Sequence, residues 1–134
     1  CASTEIGIKM RHVYSPCGLS GVLSRDSIQT IGYHIIVGGA NCLLKANTIN
    51  EQIALADHLM KKGVLYIPDW ISNVGAIVGG TDLLISENST FESVCQKVDA
   101  ICKPLVREIL EESQAKGISP LEVAYKKFEA VIYQ

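Results

Sequence analysis

No G-x-G-x-x-G turn follows any strand-like segment of this chain, and Gly79-Gly80 leads into nothing of that kind. A phosphate cradle of the usual dinucleotide type is therefore missing. No apolar run approaches the ~20 residues that a bilayer span requires. A basic segment followed by an apolar one is also lacking near Cys1, so neither secretory signal nor anchor is visible. The five cysteines form no C-x-x-C, which argues against a disulfide framework or structural zinc and for a reducing, cytoplasmic setting. His12, His34 and His58 lack metal-ligand spacing, and no metal site is expected. A formal net charge of −2 with scattered lysines supplies no strong field for nucleic acid or an anionic membrane. The only dibasic pairs, Lys61-Lys62 and Lys126-Lys127, fall late in predicted helices, where cations suit the helix dipole.

What is present is ordinary for a globular α/β protein. The 134 residues are 48% hydrophobic and 19% charged, enough for one domain with a real core. Three short apolar segments each run into a loop of small or polar residues. They are His12-Val13-Tyr14 before Ser15-Pro16-Cys17-Gly18, His34 to Val37 before Gly38-Gly39-Ala40-Asn41, and Val64 to Ile67 before Pro68-Asp69. The β-branched Ile35-Ile36-Val37 suits a strand covered on both faces. Between the second and third segments, Thr48 and Glu51 fit a capping box, Ile53, Ala56, Leu59 and Met60 recur at helical spacing, and Gly63 follows the helix end. Strand, capped helix and strand within about 30 residues make a βαβ unit with parallel strands.

Residues 1–10 read as a loop or the remnant of a preceding element, and Asp69 to Ile85 as a loop leading into a long helix. Phe91, Val94, Val98, Ile101, Leu105 and Ile109 mark an apolar stripe in which Pro104 should kink or divide the helix. Cys95 and Cys102, on one face of it, suit small core residues. Gly117 closes that element. Ser119-Pro120-Leu121-Glu122 then opens a last helix, with Leu121, Ala124, Tyr125, Phe128 and Ile132 on its buried face. The fold class is thus α/β: the second half of a Rossmann-type parallel sheet followed by long C-terminal helices. Residues 1–134 read as a single partial dinucleotide-binding domain whose first half is absent. The initial Cys suggests a processed, cleaved or partial chain. A lateral sheet edge left uncovered points to truncation or to homo-oligomeric assembly.

In such a sheet the strand tips are where ligands sit. Asn41 and Asn73 are the most informative polar residues there, since a carboxamide offers both donors and acceptors to a nicotinamide amide, a ribose hydroxyl or a carboxylate. The competing reading is a turn asparagine satisfying its own backbone. Asp69 is read as a cap for the next helix rather than an acid or base. Cys17 has no base at hand to make it a nucleophile, and Ser15 and Ser20 lack a hydrolase elbow. Cys17 and Cys42, after two different strands, are read as reduced wall residues. No catalytic residue is identified; local chemistry indicates a binding wall.

Three phrases in order, Tyr14-Ser15-Pro16-Cys17-Gly18-Leu19-Ser20-Gly21, Gly38-Gly39-Ala40-Asn41 and Tyr66-Ile67-Pro68-Asp69-Trp70-Ile71-Ser72-Asn73-Val74-Gly75, resemble the cofactor domain of the glutamate/leucine/phenylalanine/valine dehydrogenases. The leucine and phenylalanine branch, with A-P-C-A-L-G, G-[SA]-A-N-N-Q-L and Y-A-P-D-Y-V-I-N-A-G-G, is nearest, and the likeness extends from about Arg11 to the C-terminus. It implies oxidative deamination of an L-amino acid to a 2-oxo acid and ammonia with NAD as hydride acceptor. It also implies that Cys17, Gly18, Gly39, Ala40, Asn41 and Asn73 line the dinucleotide, with Asn73 facing nicotinamide and substrate. The family's lysines and aspartate lie in an N-terminal domain not found here, so this chain alone is expected to be inactive. Cys42 and Leu43 stand where the family has asparagine and glutamine, Trp70 replaces its Tyr, and Val74 and Ala76 replace small residues. The changes at Cys42, Leu43, Val74 and Ala76 leave a non-catalytic scaffold or assembly module as the alternative. Gly79 and Gly80, within Val78 to Leu84, could leave room for a large substrate side chain.

Overall fold

A computed structural model describes residues 11–132; the loop expected over residues 1–10 and the side chain of Ile132 lie outside what it describes. Strands β1 (Arg11–Tyr14), β2 (Tyr33–Ile36) and β3 (Leu65–Tyr66) form one sheet in the order β1-β2-β3. Both pairings are parallel, with Val13 opposite Ile35 and Ile36 opposite Tyr66. The short helix α1 (Arg25–Gln29) connects the first two strands and α2 (Ile49–Lys61) the second two. This is the expected half of a doubly wound sheet.

The capping box of α2 is fully made. Glu51 N–H donates to Thr48 Oγ1 at 3.2 Å, and the Glu51 carboxylate accepts from Thr48 N–H at 3.3 Å. Leu55, Ala56 and Leu59 are buried on one face of α2. They join Leu23, Ile28, Ile36, Leu43, Tyr66 and Leu121 in the main core.

The segment after β3 departs from the expected loop. It folds into α3 (Asp69–Ser72) and α4 (Gly75–Ile85). Three glycines make α4 intrinsically weak, but tertiary contacts override propensity. Asp82, buried on α4, accepts from Lys97 Nζ and from Ser89 Oγ, which ties α4 to the next helix. That helix, α5 (Phe91–Lys116), contains Pro104 and is nevertheless one element. Proline removes the partner of the carbonyl at Ala100, and both residues are exposed, so water can supply the missing bond. Phe91, Ile101 and Cys95 are exposed too, so the expected stripe is buried only in part. Cys102 is half-buried and donates to the Ile71 carbonyl at 3.5 Å.

Gly117, at φ 64, ends α5 in the left-handed conformation, with its N–H on the Ser113 carbonyl at 2.9 Å. The last helix, α6 (Pro120–Ile132), follows a fully buried Ser119 whose Oγ accepts from Glu122 N–H at 3.4 Å. A second core of Ile71, Ile109, Val123 and Ala124 joins α3, α5 and α6. The face of α6 also carries Tyr125 against α2, with its hydroxyl on Gln52 Oε1 at 2.6 Å.

Candidate functional site at the strand tips

The three loops at the carboxyl ends of the strands are held together by their own backbones. Val37 N–H donates to the Tyr14 carbonyl and Ala40 N–H to the Pro16 carbonyl, each at 3.1 Å. Gly38 is required by this approach. A Cβ built there would lie 2.2 Å from the Pro16 oxygen, a distance real side chains do not reach. Gly39 differs: its Cβ would meet only Cys17 Sγ, at 3.5 Å. Further along, Leu23 N–H donates to the Leu43 carbonyl and Lys45 N–H returns to Leu23, in a short parallel bridge that fixes the loop after β2 to the loop after β1.

Asn41 and Asn73, 32 residues apart, meet across these loops. Asn73 Nδ2 donates to Asn41 Oδ1 at 2.7 Å. Asn41 is exposed and Asn73 half-buried, so the pair lies at the surface with one amide group of each residue free for another partner. Exchanging both amide orientations swaps donor and acceptor between the residues and leaves the same complement, one NH₂ and one carbonyl. Cys17, Gly18 and Gly39 are exposed beside the first two loops, whereas Ala40 is buried and uses its N–H internally. The Cys17 thiol has Ser15 Oγ at 3.9 Å and the Ser15 carbonyl at 3.7 Å as its polar neighbours. Cys17 and Cys42 are both free.

Asp69 does something other than the capping expected of it. Pro68 occupies the N-cap of α3, and no side chain caps that helix. The Asp69 carboxylate is 6% exposed and faces the loop after β2: Oδ2 accepts from Leu43 N–H and Oδ1 from the Tyr66 hydroxyl, both at 3.1 Å. Burial, and then the neighbouring Asp69 charge, hold the Tyr66 phenol well above its ordinary pKa, so it remains a donor. Ser72 Oγ adds a third tie between the same loops, to the Gly38 carbonyl at 3.2 Å. Tyr66 and Ser72 carried no sequence signal of this role; a polar residue just after a strand was the only hint at Asp69.

Apart from this polar cluster, a groove of about 800 Å³ opens between α2 and α6, lined by Ile49, Ile53, Trp70, Tyr125 and Phe128 among others. Trp70 meets Phe128 edge to face, with ring centroids 5.5 Å apart. Asn41 and Asn73 are not part of that lining. Gly79 faces α5 rather than a cavity, since a Cβ there would meet Val94 at 3.5 Å. Among the described residues no group of His, Cys, Asp and Glu is arranged to hold a metal, and no helix is long and apolar enough to cross a membrane.

A parallel three-stranded sheet in consecutive order, with helices joining its strands and polar side chains gathered at the strand tips, is a Rossmann-like α/β arrangement. The chain belongs to the glutamate/leucine/phenylalanine/valine dehydrogenase family, whose profile matches residues 5–132. It is 34% identical over 106 residues to leucine dehydrogenase of Bacillus subtilis (strain 168), covering 79% of this chain and 27% of that enzyme. It is 31% identical over 134 residues to phenylalanine dehydrogenase of Lysinibacillus sphaericus, covering 97% and 32%. The crystal structure of L-tryptophan dehydrogenase from Nostoc punctiforme superposes with a TM-score of 0.80 at 28% identity, covering 95% of this chain and 36% of that one. The chain thus spans about a third of the length of these relatives.

Proposed function

We propose that this chain forms the nicotinamide side of the cofactor site in an NAD-dependent L-amino-acid dehydrogenase of the leucine/phenylalanine type. One observation carries the reading: the 2.7 Å bond that joins Asn73 to Asn41 across two strand-tip loops. The pair offers one NH₂ and one carbonyl side by side. That complement matches a primary carboxamide such as nicotinamide's, or a ribose hydroxyl, so the residues fit the cofactor. When bound, NAD supplies the hydride acceptor for oxidation of the amino acid at its α-carbon. Asn41 and Asn73 bind and orient its amide end, while Cys17, Gly18 and Gly39 form the adjoining wall and Ala40 fixes the loop behind it.

By itself the chain binds and does not turn over. The Asp69 carboxylate, in the segment that leads to Asn73, is buried with both oxygens engaged, so it has no access to a substrate proton. The rival reading, a scaffold without chemistry, draws on Cys42 and Leu43. Leu43, however, is fully buried, and the asparagine pair is intact, which supports binding. Homo-oligomeric assembly belongs to the proposal: Ile77, Leu83, Leu84, Ile85 and Phe91 together leave a large apolar surface exposed on and beside α4. So does a reducing cytoplasm, in keeping with free Cys17, Cys42, Cys95 and Cys102.

The test is NADH titration of the 134-residue chain followed by amide NMR, together with an assay for amino-acid-dependent NADH formation. The expected result is weak binding that shifts the side-chain amides of Asn41 and Asn73, with no turnover. Turnover by this chain alone would refute the binding-only assignment. NADH that leaves both amides unmoved would refute the cofactor site.

A further inference from the structure

We infer that Asp69 is the positioning residue that locks Asn41 and Asn73 into a single recognition pair. Its consequence for ligand affinity rests on the cofactor reading above; its structural part does not. Asn41 sits in the loop after β2 and Asn73 after α3, so nothing in local chain geometry obliges them to meet. Three ties bring their loops together: Ser72 Oγ on the Gly38 carbonyl, Asn73 on Asn41, and Leu43 N–H on Asp69 Oδ2.

The third tie differs from the others in burial. Ser72 and Asn73 are half-buried and can exchange their partners for water, whereas Leu43 is 0% exposed and Asp69 nearly so. A Leu43 N–H without its carboxylate would be a buried donor with no acceptor, the costly case for a hydrogen bond. The residue between Asn41 and Leu43 shows how firmly this end is held. Cys42 lies at φ 54, in the left-handed region that non-glycine residues seldom occupy. That turn points Leu43 inward to Asp69 while leaving Asn41 outside.

The other end of the link is equally fixed. The Asp69 backbone carbonyl accepts from Asn73 N–H at 2.8 Å, so the residue that anchors Asn41's loop also anchors Asn73's. Tyr66 holds the second carboxylate oxygen and thereby sets the rotamer of Asp69. One buried side chain thus dictates the spacing of two surface amides.

The test compares Asp69→Leu, Asp69→Asn and the parent 134-residue chain by ¹⁵N–¹H NMR, with NADH titrations alongside. Asparagine can reproduce both contacts, accepting from Leu43 N–H and donating to the Tyr66 oxygen; leucine fills the space and makes neither. In Asp69→Leu, the Asn41 and Asn73 side-chain signals should move to the positions of the exposed Asn47 and Asn50. Backbone signals of Ile28 and Leu59 should stay in place. Asp69→Asn should keep the parent positions, a rescue that general destabilisation would not give. NADH affinity should fall about tenfold in Asp69→Leu, the equivalent of one lost buried hydrogen bond, and stay near parental in Asp69→Asn.

Unmoved Asn41 and Asn73 signals in a folded Asp69→Leu would overturn the inference, as would an Asp69→Asn chain in which the pair is lost. If Asp69→Leu does not fold, hydrogen exchange at Leu43 in the parent decides: slow exchange supports the link and fast exchange overturns it. If NADH moves neither amide in the parent while the variants behave as described, the cofactor reading fails and the positioning role stands.

Discussion

Replacing Gly38 with alanine isolates the closest backbone approach in the site. The added Cβ would lie 2.2 Å from the Pro16 oxygen and 2.8 Å from Pro16 Cδ. Relief requires the loops after β1 and β2 to separate by about 1 Å, since an ordinary contact needs more than 3 Å. Such a shift strains the Ala40 N–H bond to Pro16, the Val37 N–H bond to Tyr14 and the Ser72 bond to the Gly38 carbonyl. Two or three bonds at about 1 kcal/mol each, plus overpacking of about 1–3 kcal/mol, give a loss near 4 kcal/mol. Urea denaturation of the chain, followed by circular dichroism, measures it. Gly39→Ala is the internal control, because its Cβ would meet Cys17 Sγ at an ordinary 3.5 Å. It should cost less than about 0.5 kcal/mol, as a surface change without a clash does. A Gly38→Ala chain as stable as Gly39→Ala would refute the claim that this glycine exists for the Pro16 contact.

Cys42→Asn should stabilise the chain by about 0.5–1 kcal/mol, because asparagine tolerates the left-handed conformation better than cysteine and the exposed thiol buries little; a lower urea midpoint would contradict this. Asp82 predicts an acid limit. Hydrogen bonds from Lys97 and then Ser89 hold its folded pKa below the ordinary 3.8. The unfolded chain therefore takes up the proton first as pH falls, so this carboxylate's contribution is complete above 3.8 and is lost as pH falls through the lower folded value. Stability measured against pH should accordingly fall less steeply below about pH 4 in Asp82→Asn than in the parent, and parallel curves would exclude the Asp82 tie as the cause.

Much of this architecture was legible because local rules and tertiary structure agree. Alternating short apolar segments and the Thr48–Glu51 capping box are enough to specify a parallel βαβ unit, and the structure makes both capping bonds. Gly117 was legible for the same reason, as a residue whose left-handed φ is nearly free of cost. Elsewhere the surroundings of a residue outweighed its local preference. Pro104 should kink or divide α5; the helix is not divided, because the position is exposed and water can replace the lost bond. Gly75, Gly79 and Gly80 suggest a loop, yet α4 forms and is tied to α5 through Asp82 and Lys97.

The site divides along the same line. That Asn41 and Asn73 would share one edge follows from strand direction alone, since parallel strands deliver all their following loops to one side. That they would touch does not follow from it. Contact depends on how far each loop extends past the sheet, and here that is set by a carboxylate bonding to a backbone 26 residues away. A carboxylate after a strand has several local uses, and capping the next helix is the commonest of them. Only the three-dimensional arrangement shows that Pro68 has taken the cap position and freed Asp69 to reach Leu43. The same division bears on function. The polar groups that a ligand would meet are visible in the sequence, whereas the group that sets their spacing is hidden in the core, where a residue's identity alone does not reveal its partner.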